Sequence, residues 1–138
     1  MSRRILIVDD EAGIRAALAQ LLEYEGYEVR AVASGREGLE TYESWRPQLV
    51  FLDVKMEGID GLETLKRIRA LDAAAIVVMI SGHATISDAV TATQLGAYDI
   101  LEKPLDTDRI LVTLRNAIGH HDLREENARL RATVQQTG

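Results

Sequence analysis

The chain predicts a doubly wound α/β domain in which five parallel strands alternate with five helices. Three observations carry that prediction. Short apolar runs such as Ile5-Leu6-Ile7-Val8, Val50-Phe51-Leu52 and Ile76-Val77-Val78-Met79-Ile80 read as strands buried on both faces. Apolar residues at helical spacing fill the segments between them. Glycine and proline mark the junctions, at Gly26, Pro47, Gly96 and Pro104.

The first strand is Arg4 to Asp9, and a helix follows from about Ala12 to Tyr24 with Ile14, Leu18, Leu21 and Leu22 along one face. Gly26 suits the left-handed cap that ends it. Glu28 to Ala33 is a second strand, short, with Val29 and Val32. Ser34 is an N-cap for a helix reaching Trp45, and Pro47 separates that helix from the strand Val50 to Asp53. Glu57-Gly58-Ile59-Asp60-Gly61 is a loop, followed by a helix from Leu62 to Leu71 with Leu62, Leu65 and Ile68 on one side. Ala75 to Ile80 is the fourth strand, Thr85 to Leu95 the fourth helix and Tyr98 to Glu102 the fifth strand. Asp106 or Thr107 caps the last helix. At this length the natural arrangement is the flavodoxin-like strand order 2-1-3-4-5, with right-handed crossovers. Its switch point lies between the first and third strands.

Composition bounds the function. The 138 residues suffice for one domain with a core. A net charge of −6 without a basic run argues against direct nucleic-acid binding by this chain. The absence of cysteine excludes disulfides and thiolate metal sites. No apolar stretch reaches membrane-spanning length, and Met1-Ser2-Arg3-Arg4 lacks a signal-peptide core, so the expected location is cytoplasmic.

Asp9, Asp10 and Asp53 end the strands that flank the switch point, where α/β sheets place their ligand crevice. Carboxylates that converge repel and raise one another's pKa. A hard divalent cation with oxygen ligands is the simplest offset, and Mg²⁺ suits one or two carboxylates with waters and a phosphate. Ser81 and Lys103-Pro104 reach the same edge. Taken singly, Ser81 reads as a turn cap, Lys103 as a surface lysine and Pro104 as a turn. Lys103 is one of only three lysines, which makes chance placement at that edge less common.

Together Asp9-Asp10, Asp53, Asp60-Gly61, Ser81 and Lys103-Pro104 resemble the receiver domain of bacterial two-component response regulators, over roughly residues 3–118. The resemblance implies that Asp53 is the phosphoacceptor, its carboxylate attacking phosphorus. It implies Mg²⁺ held by Asp10, Asp53 and the backbone carbonyl of Lys55, with Asp9 acting through water. Lys103 and Ser81 would hold phosphoryl oxygens, and the Lys103-Pro104 bond would be cis. The donor would be a phosphohistidine on a sensor histidine kinase. The output is a conformation rather than a product, so the chain is not an enzyme beyond assisting its own phosphorylation and dephosphorylation.

Two positions depart from the pattern. Ile100 stands where receivers usually carry an aromatic that turns inward with Ser81, which puts that coupling in question. Tyr98 shares its strand face by alternation and reads as a packing residue. Glu57 stands where proline is common. Lys55 and His83, each two residues beyond a site residue, occupy positions whose side chains influence phosphoryl lifetime in this family.

The receiver is complete at 1–118, and 119–138 reads as a helical linker, so the fold carries an extended C-terminal helix. Leu123, Asn127, Leu130 and Val134 form a short seam with Asn at an a-type position, which favours a parallel dimer. An earlier seam through Leu114 and Ile118 slips phase near Gly119. A homodimer is expected, through the face of the fourth helix, fifth strand and fifth helix or through the tail. His120-His121 read as solvated. Gly96-Ala97-Tyr98-Asp99, Glu102-Lys103-Pro104-Leu105 and Arg124-Glu125-Glu126-Asn127 resemble the NtrC-like regulators, which act through an ATPase on sigma-54 RNA polymerase; the tail would then lead to an output domain.

Rival readings are an FMN carrier, a haloacid-dehalogenase-like phosphatase and a phosphorylation-independent dimerisation module of receiver fold. The acidic Asp9-Asp10-Glu11 loop opposes the first, and adjacent rather than alternate aspartates oppose the second. The intact acidic pocket opposes the third, which Ile100 and the tail keep open.

Overall fold

Among the described residues ten elements follow one another strictly in alternation: β1 (Arg4–Val8), α1 (Ala12–Tyr24), β2 (Glu28–Val32), α2 (Gly35–Trp45), β3 (Leu49–Asp53), α3 (Gly61–Leu71), β4 (Val77–Ser81), α4 (Ile86–Gln94), β5 (Asp99–Glu102) and α5 (Thr107–Thr137). The computed structural model describes residues 3–83 and 85–137; for 121, 124, 125, 128 and 131–137 it describes the backbone alone. His121, Arg124, Glu125 and Val134, which entered the sequence reading, therefore have side chains outside the described residues.

The sheet is parallel throughout, in the expected order β2-β1-β3-β4-β5. β3 and β4 are buried at every position, which is why they read as unbroken apolar runs. Their side chains still alternate between two cores. Ile5, Ile7, Phe51, Val78, Ile80 and Leu101 pack with Leu18 and Leu22 of α1 and Leu114 and Ile118 of α5. Leu6, Val8, Val50, Leu52, Val77 and Met79 pack with Tyr42 and Trp45 of α2, Leu65 and Ile68 of α3 and Ala92 of α4. Each fully buried Leu, Ile or Val contributes about 1.5–3 kcal/mol, so the scaffold under the sheet's carboxyl edge is stiff. β2, at the sheet edge, is only partly buried.

Side-chain caps fix where the helices begin. Ser34 accepts from Glu37 N, and Thr85 forms a reciprocal box with Asp88. Asp60 caps α3 by accepting from Glu63 N at 2.8 Å, so the helix starts at Gly61, one residue before the expected Leu62. Gly61 is required there by contact: a Cβ would lie 1.9 Å from the Asp53 carbonyl oxygen. At the end of α2 the left-handed residue is Arg46, with φ 49°, rather than a glycine.

Two further expectations are corrected. β4 begins at Val77 rather than Ala75. Tyr98 precedes β5 instead of belonging to it; it is 39% exposed and its ring lies 6.0 Å from that of His120. It is therefore an exposed residue rather than an ordinary packing one, and His120 is exposed but not purely solvated. The extended C-terminal helix expected from the sequence is present: α5 runs unbroken through Gly119. Its core contacts end at Ile118, while Leu123 and Leu130 are exposed. A phase slip moves the apolar stripe around a helix without breaking its backbone hydrogen bonds. Arg3 pairs with Asp122 at 2.7 Å, tying the start of the extension to the domain. Among the described residues no helix is long and apolar enough to cross a membrane.

Candidate functional site

The carboxyl edge of the sheet gathers the predicted site. Asp9 follows β1 and continues its pairing by donating N–H to Val32 O at 3.1 Å. Asp53 and Ser81 are the last residues of β3 and β4. Lys103 follows β5 and is held by its N–H to Ser81 O at 2.8 Å. Asp9, Asp53 and Ser81 are buried, and Asp10 is exposed at the rim.

Lys103 is the electrostatic centre. Its Nζ lies 3.2 Å from Asp9 Oδ2, 3.3 Å from Glu11 Oε1 and 3.5 Å from Asp53 Oδ2. Only 13% of its side chain is exposed, so it is no surface lysine. The Lys103–Pro104 peptide is cis. Asp53 Oδ1 accepts from Lys55 N at 3.4 Å. Asp9 Oδ1 accepts from Glu11 N at 2.9 Å, whereas Asp9 Oδ2 is buried without a well-directed hydrogen bond.

Burial, reinforced by the Asp9 charge, pushes the Asp53 carboxyl up to about 6 despite the Lys103 ammonium beside it. Burial pulls the Lys103 ammonium down, but Asp53, Asp9 and Glu11 outweigh it and the net shift is upward. The site thus holds Asp53 ionised at neutral pH, with little margin, and keeps its lysine charged.

Carboxylate oxygens of Asp9, Asp10 and Asp53 lie within 4.8 Å of one another. All are hard oxygen donors, the buried Asp9 Oδ2 lacks a directed partner, and the negative charge exceeds what one ammonium cancels. This donor set fits a hard divalent cation such as Mg²⁺.

Ser81 Oγ accepts from His83 N at 3.2 Å, a local turn contact. Lys55, Glu57 and His83 are exposed at the mouth. Ile100 is partly buried against the core shared by α2, α3 and α4. Two residues escaped the sequence reading as site members. Glu11 was visible only as a third acid after Asp9-Asp10. Arg15, in the first turn of α1, donates from its guanidinium to the Asp9 carbonyl at 2.8 Å and braces the acidic loop. No spacing rule announces a side chain that returns six residues to a backbone oxygen.

Known proteins bear on this geometry. The family described as the response regulator receiver domain matches residues 5–115. The nitrogen assimilation regulatory protein NtrX of Azorhizobium caulinodans is 42% identical over 137 residues, which is 98% of this chain and 30% of that protein. The C4-dicarboxylate transport transcriptional regulatory protein DctD of Pseudomonas aeruginosa is 38% identical over 95% of this chain and 28% of its own length. The chain thus spans under a third of the length of these two relatives. Among solved structures, NtrX from Brucella abortus superposes with a TM-score of 0.88 at 39% identity, covering 94% of this chain and 30% of that one. A CheY-like receiver from Methanospirillum hungatei gives 0.87 at 30% identity, covering 90% and 99%.

Proposed function

Since the chain belongs to the response regulator receiver domain family, we propose that Asp53 accepts a phosphoryl group from a phosphohistidine of a sensor histidine kinase and that the phosphorylated domain signals by conformation. The observation that carries this reading is the Lys103 ammonium between two buried strand-end carboxylates, 3.2 Å from Asp9 and 3.5 Å from Asp53.

In the transfer, a carboxylate oxygen of Asp53 forms a bond to phosphorus as the phosphorus–nitrogen bond breaks, and the imidazole leaves with that electron pair. Asp53 is the nucleophile because it is ionised at neutral pH and sits at the rim of a rigid strand. Lys103 turns its ammonium toward the incoming phosphoryl oxygens, and Ser81 Oγ donates to another. Asp10, Asp53 and the Lys55 carbonyl would hold Mg²⁺, with Asp9 acting through water. Bound Mg²⁺ would neutralise charge on the phosphoryl oxygens. Lys55 and His83 stand over the phosphoryl group and set its lifetime. The chain assists its own phosphorylation and dephosphorylation, and otherwise carries no enzymatic role.

Residues 1–118 form the signalling domain and 119–138 the linker to an output domain. The likeness to NtrX and DctD supports an ATPase that acts on sigma-54 RNA polymerase in the longer protein. Exposed Ile86, Val90 and Val112 and the exposed Leu123 and Leu130 support self-association through the α4–β5–α5 face or the tail. The cytoplasm is where such a kinase partner would meet it.

Intact mass after incubation with acetyl phosphate and Mg²⁺ tests the reading. One acid-labile phosphoryl group is expected on the parent and none on Asp53→Asn. A parent that stays unmodified beside a working receiver would leave the phosphorylation-independent dimerisation module in its place.

A further inference from the structure

We propose that Glu11 is a detachable arm of Lys103: its carboxylate occupies the ammonium until a phosphoryl group displaces it, and this competition slows transfer from small phosphodonors. The role rests on the receiver reading and names a positioning residue within that site.

Lys103 has three N–H donors and three carboxylates within reach, at 3.2 Å for Asp9, 3.3 Å for Glu11 and 3.5 Å for Asp53. A phosphoryl group on Asp53 brings roughly −2 charge and new acceptor oxygens. Lys103 can bind them only by giving up a present contact. The three contacts differ in what release would cost. Asp9 has no exposed side-chain surface, and its Oδ2 has no other directed partner. Losing the lysine would strand a buried charge, which is expensive. Asp53 is itself the acceptor. Glu11 is 60% exposed, so water replaces the ammonium at once. Glu11 is the arm that lets go.

Its placement is fixed from both sides. Asp9 Oδ1 accepts from Glu11 N at 2.9 Å, and the carbonyl of Glu11 accepts from Arg15 N at 3.1 Å in the first turn of α1. The backbone therefore stays put while the side chain swings. Glu11 is also a negative charge at the rim that an anionic donor must pass.

Acetyl phosphate is the probe. An Asp53 oxygen bonds to phosphorus, the bond from phosphorus to the acetyl oxygen breaks, and acetate leaves with that electron pair. The rate of phosphorylation is measured by intact mass with Mg²⁺ for the parent, Glu11→Gln and Glu11→Asp, at low and high salt. Glu11→Gln removes charge and ion pair; Glu11→Asp keeps the charge and shortens the reach. Both variants are expected to react about two- to fivefold faster than the parent, the range that an exposed ion pair is worth. The gain of Glu11→Gln shrinks as salt screens it. A ¹⁵N-lysine label provides a second readout. Of the three lysine ammonium signals, that of Lys103 alone should shift in both variants before any donor is added.

A faster Glu11→Gln with an unchanged Glu11→Asp would mean a field at the rim and no arm, and would overturn the proposal. So would unchanged rates, or an unmoved Lys103 signal, beside a parent that takes phosphate normally. A parent that takes no phosphoryl group at all fails the receiver reading itself, and the arm falls with it.

Discussion

Lys103 Nζ lies 3.5 Å from Asp53 Oδ2 although β4 stands between the strands that carry them. The lysine reaches across the sheet's carboxyl edge, past Ser81, to the end of β3. Its contact with Asp53 holds down a carboxyl that burial and Asp9 push up. Lys103→Met should therefore raise the Asp53 pKa further above about 6 and lower phosphorylation at neutral pH. Carboxyl ¹³C titration of the metal-free protein reads the first effect directly.

The same burial makes stability depend on pH. The folded-state pKa of Asp53, about 6, is above its ordinary value of 3.8. A raised carboxyl pKa favours the protonated form in the fold, so the contribution is complete below the ordinary value and disappears as pH rises through about 6. Without metal, Asp53→Asn should be more stable than the parent at pH 8 by about 1–3 kcal/mol, and equal to it near pH 4. Urea unfolding at the two pH values measures the gap, and added Mg²⁺ should narrow it at pH 8 by stabilising the parent. A constant gap would place the Asp53 carboxyl in its ordinary range.

Gly61 stands under Asp53 so closely that a Cβ would meet the Asp53 carbonyl oxygen at 1.9 Å and Val54 Cα at 2.7 Å. Both are backbone atoms that cannot turn aside. Gly61→Ala should cost about 1–3 kcal/mol and, with Asp53 as the proposed acceptor, slow phosphorylation by moving it. Thermal unfolding and acetyl phosphate kinetics on one sample separate the two effects.

Lys55 and His83, two residues beyond Asp53 and Ser81, are exposed. If Lys55 and His83 set the phosphoryl lifetime as proposed, by shielding phosphorus from water, the double variant Lys55→Ala, His83→Ala should lose its phosphoryl group faster than the parent. Decay of the phosphorylated mass after donor removal measures this, and an unchanged half-life would assign the lifetime elsewhere.

The exposed Leu123 and Leu130 lie on the helical extension beyond the core. If the tail seam pairs, Leu123→Asp with Leu130→Asp should shift sedimentation toward monomer without lowering the melting temperature. A dimer that survives would point to the α4–β5–α5 face.

Much of this was legible in the chain. β3 and β4 announced themselves because burial on both faces leaves only apolar residues until Asp53 and Ser81. The doubly wound topology then brought Asp9, Asp10, Asp53, Ser81 and Lys103 to one edge. What stayed hidden depends on side-chain reach. Glu11 and Arg15 act across space, on Lys103 and on the Asp9 carbonyl. The start of α3 was missed by one residue because the Asp60 cap was read as loop. Tyr98 was assigned to β5 because alternation alone does not mark where a strand begins. The extended C-terminal helix was legible as well, because the phase slip at Gly119 alters packing and leaves the helix intact.

The most direct test of the account locates the phosphoryl group. After reaction with acetyl phosphate and Mg²⁺, borohydride reduces an acyl phosphate to the alcohol, converting that aspartate to homoserine. Peptide mass mapping should find homoserine at position 53 and nowhere else, and none when Mg²⁺ is removed. Homoserine at another carboxylate, or at none beside a working receiver, would contradict the assignment of Asp53 as acceptor.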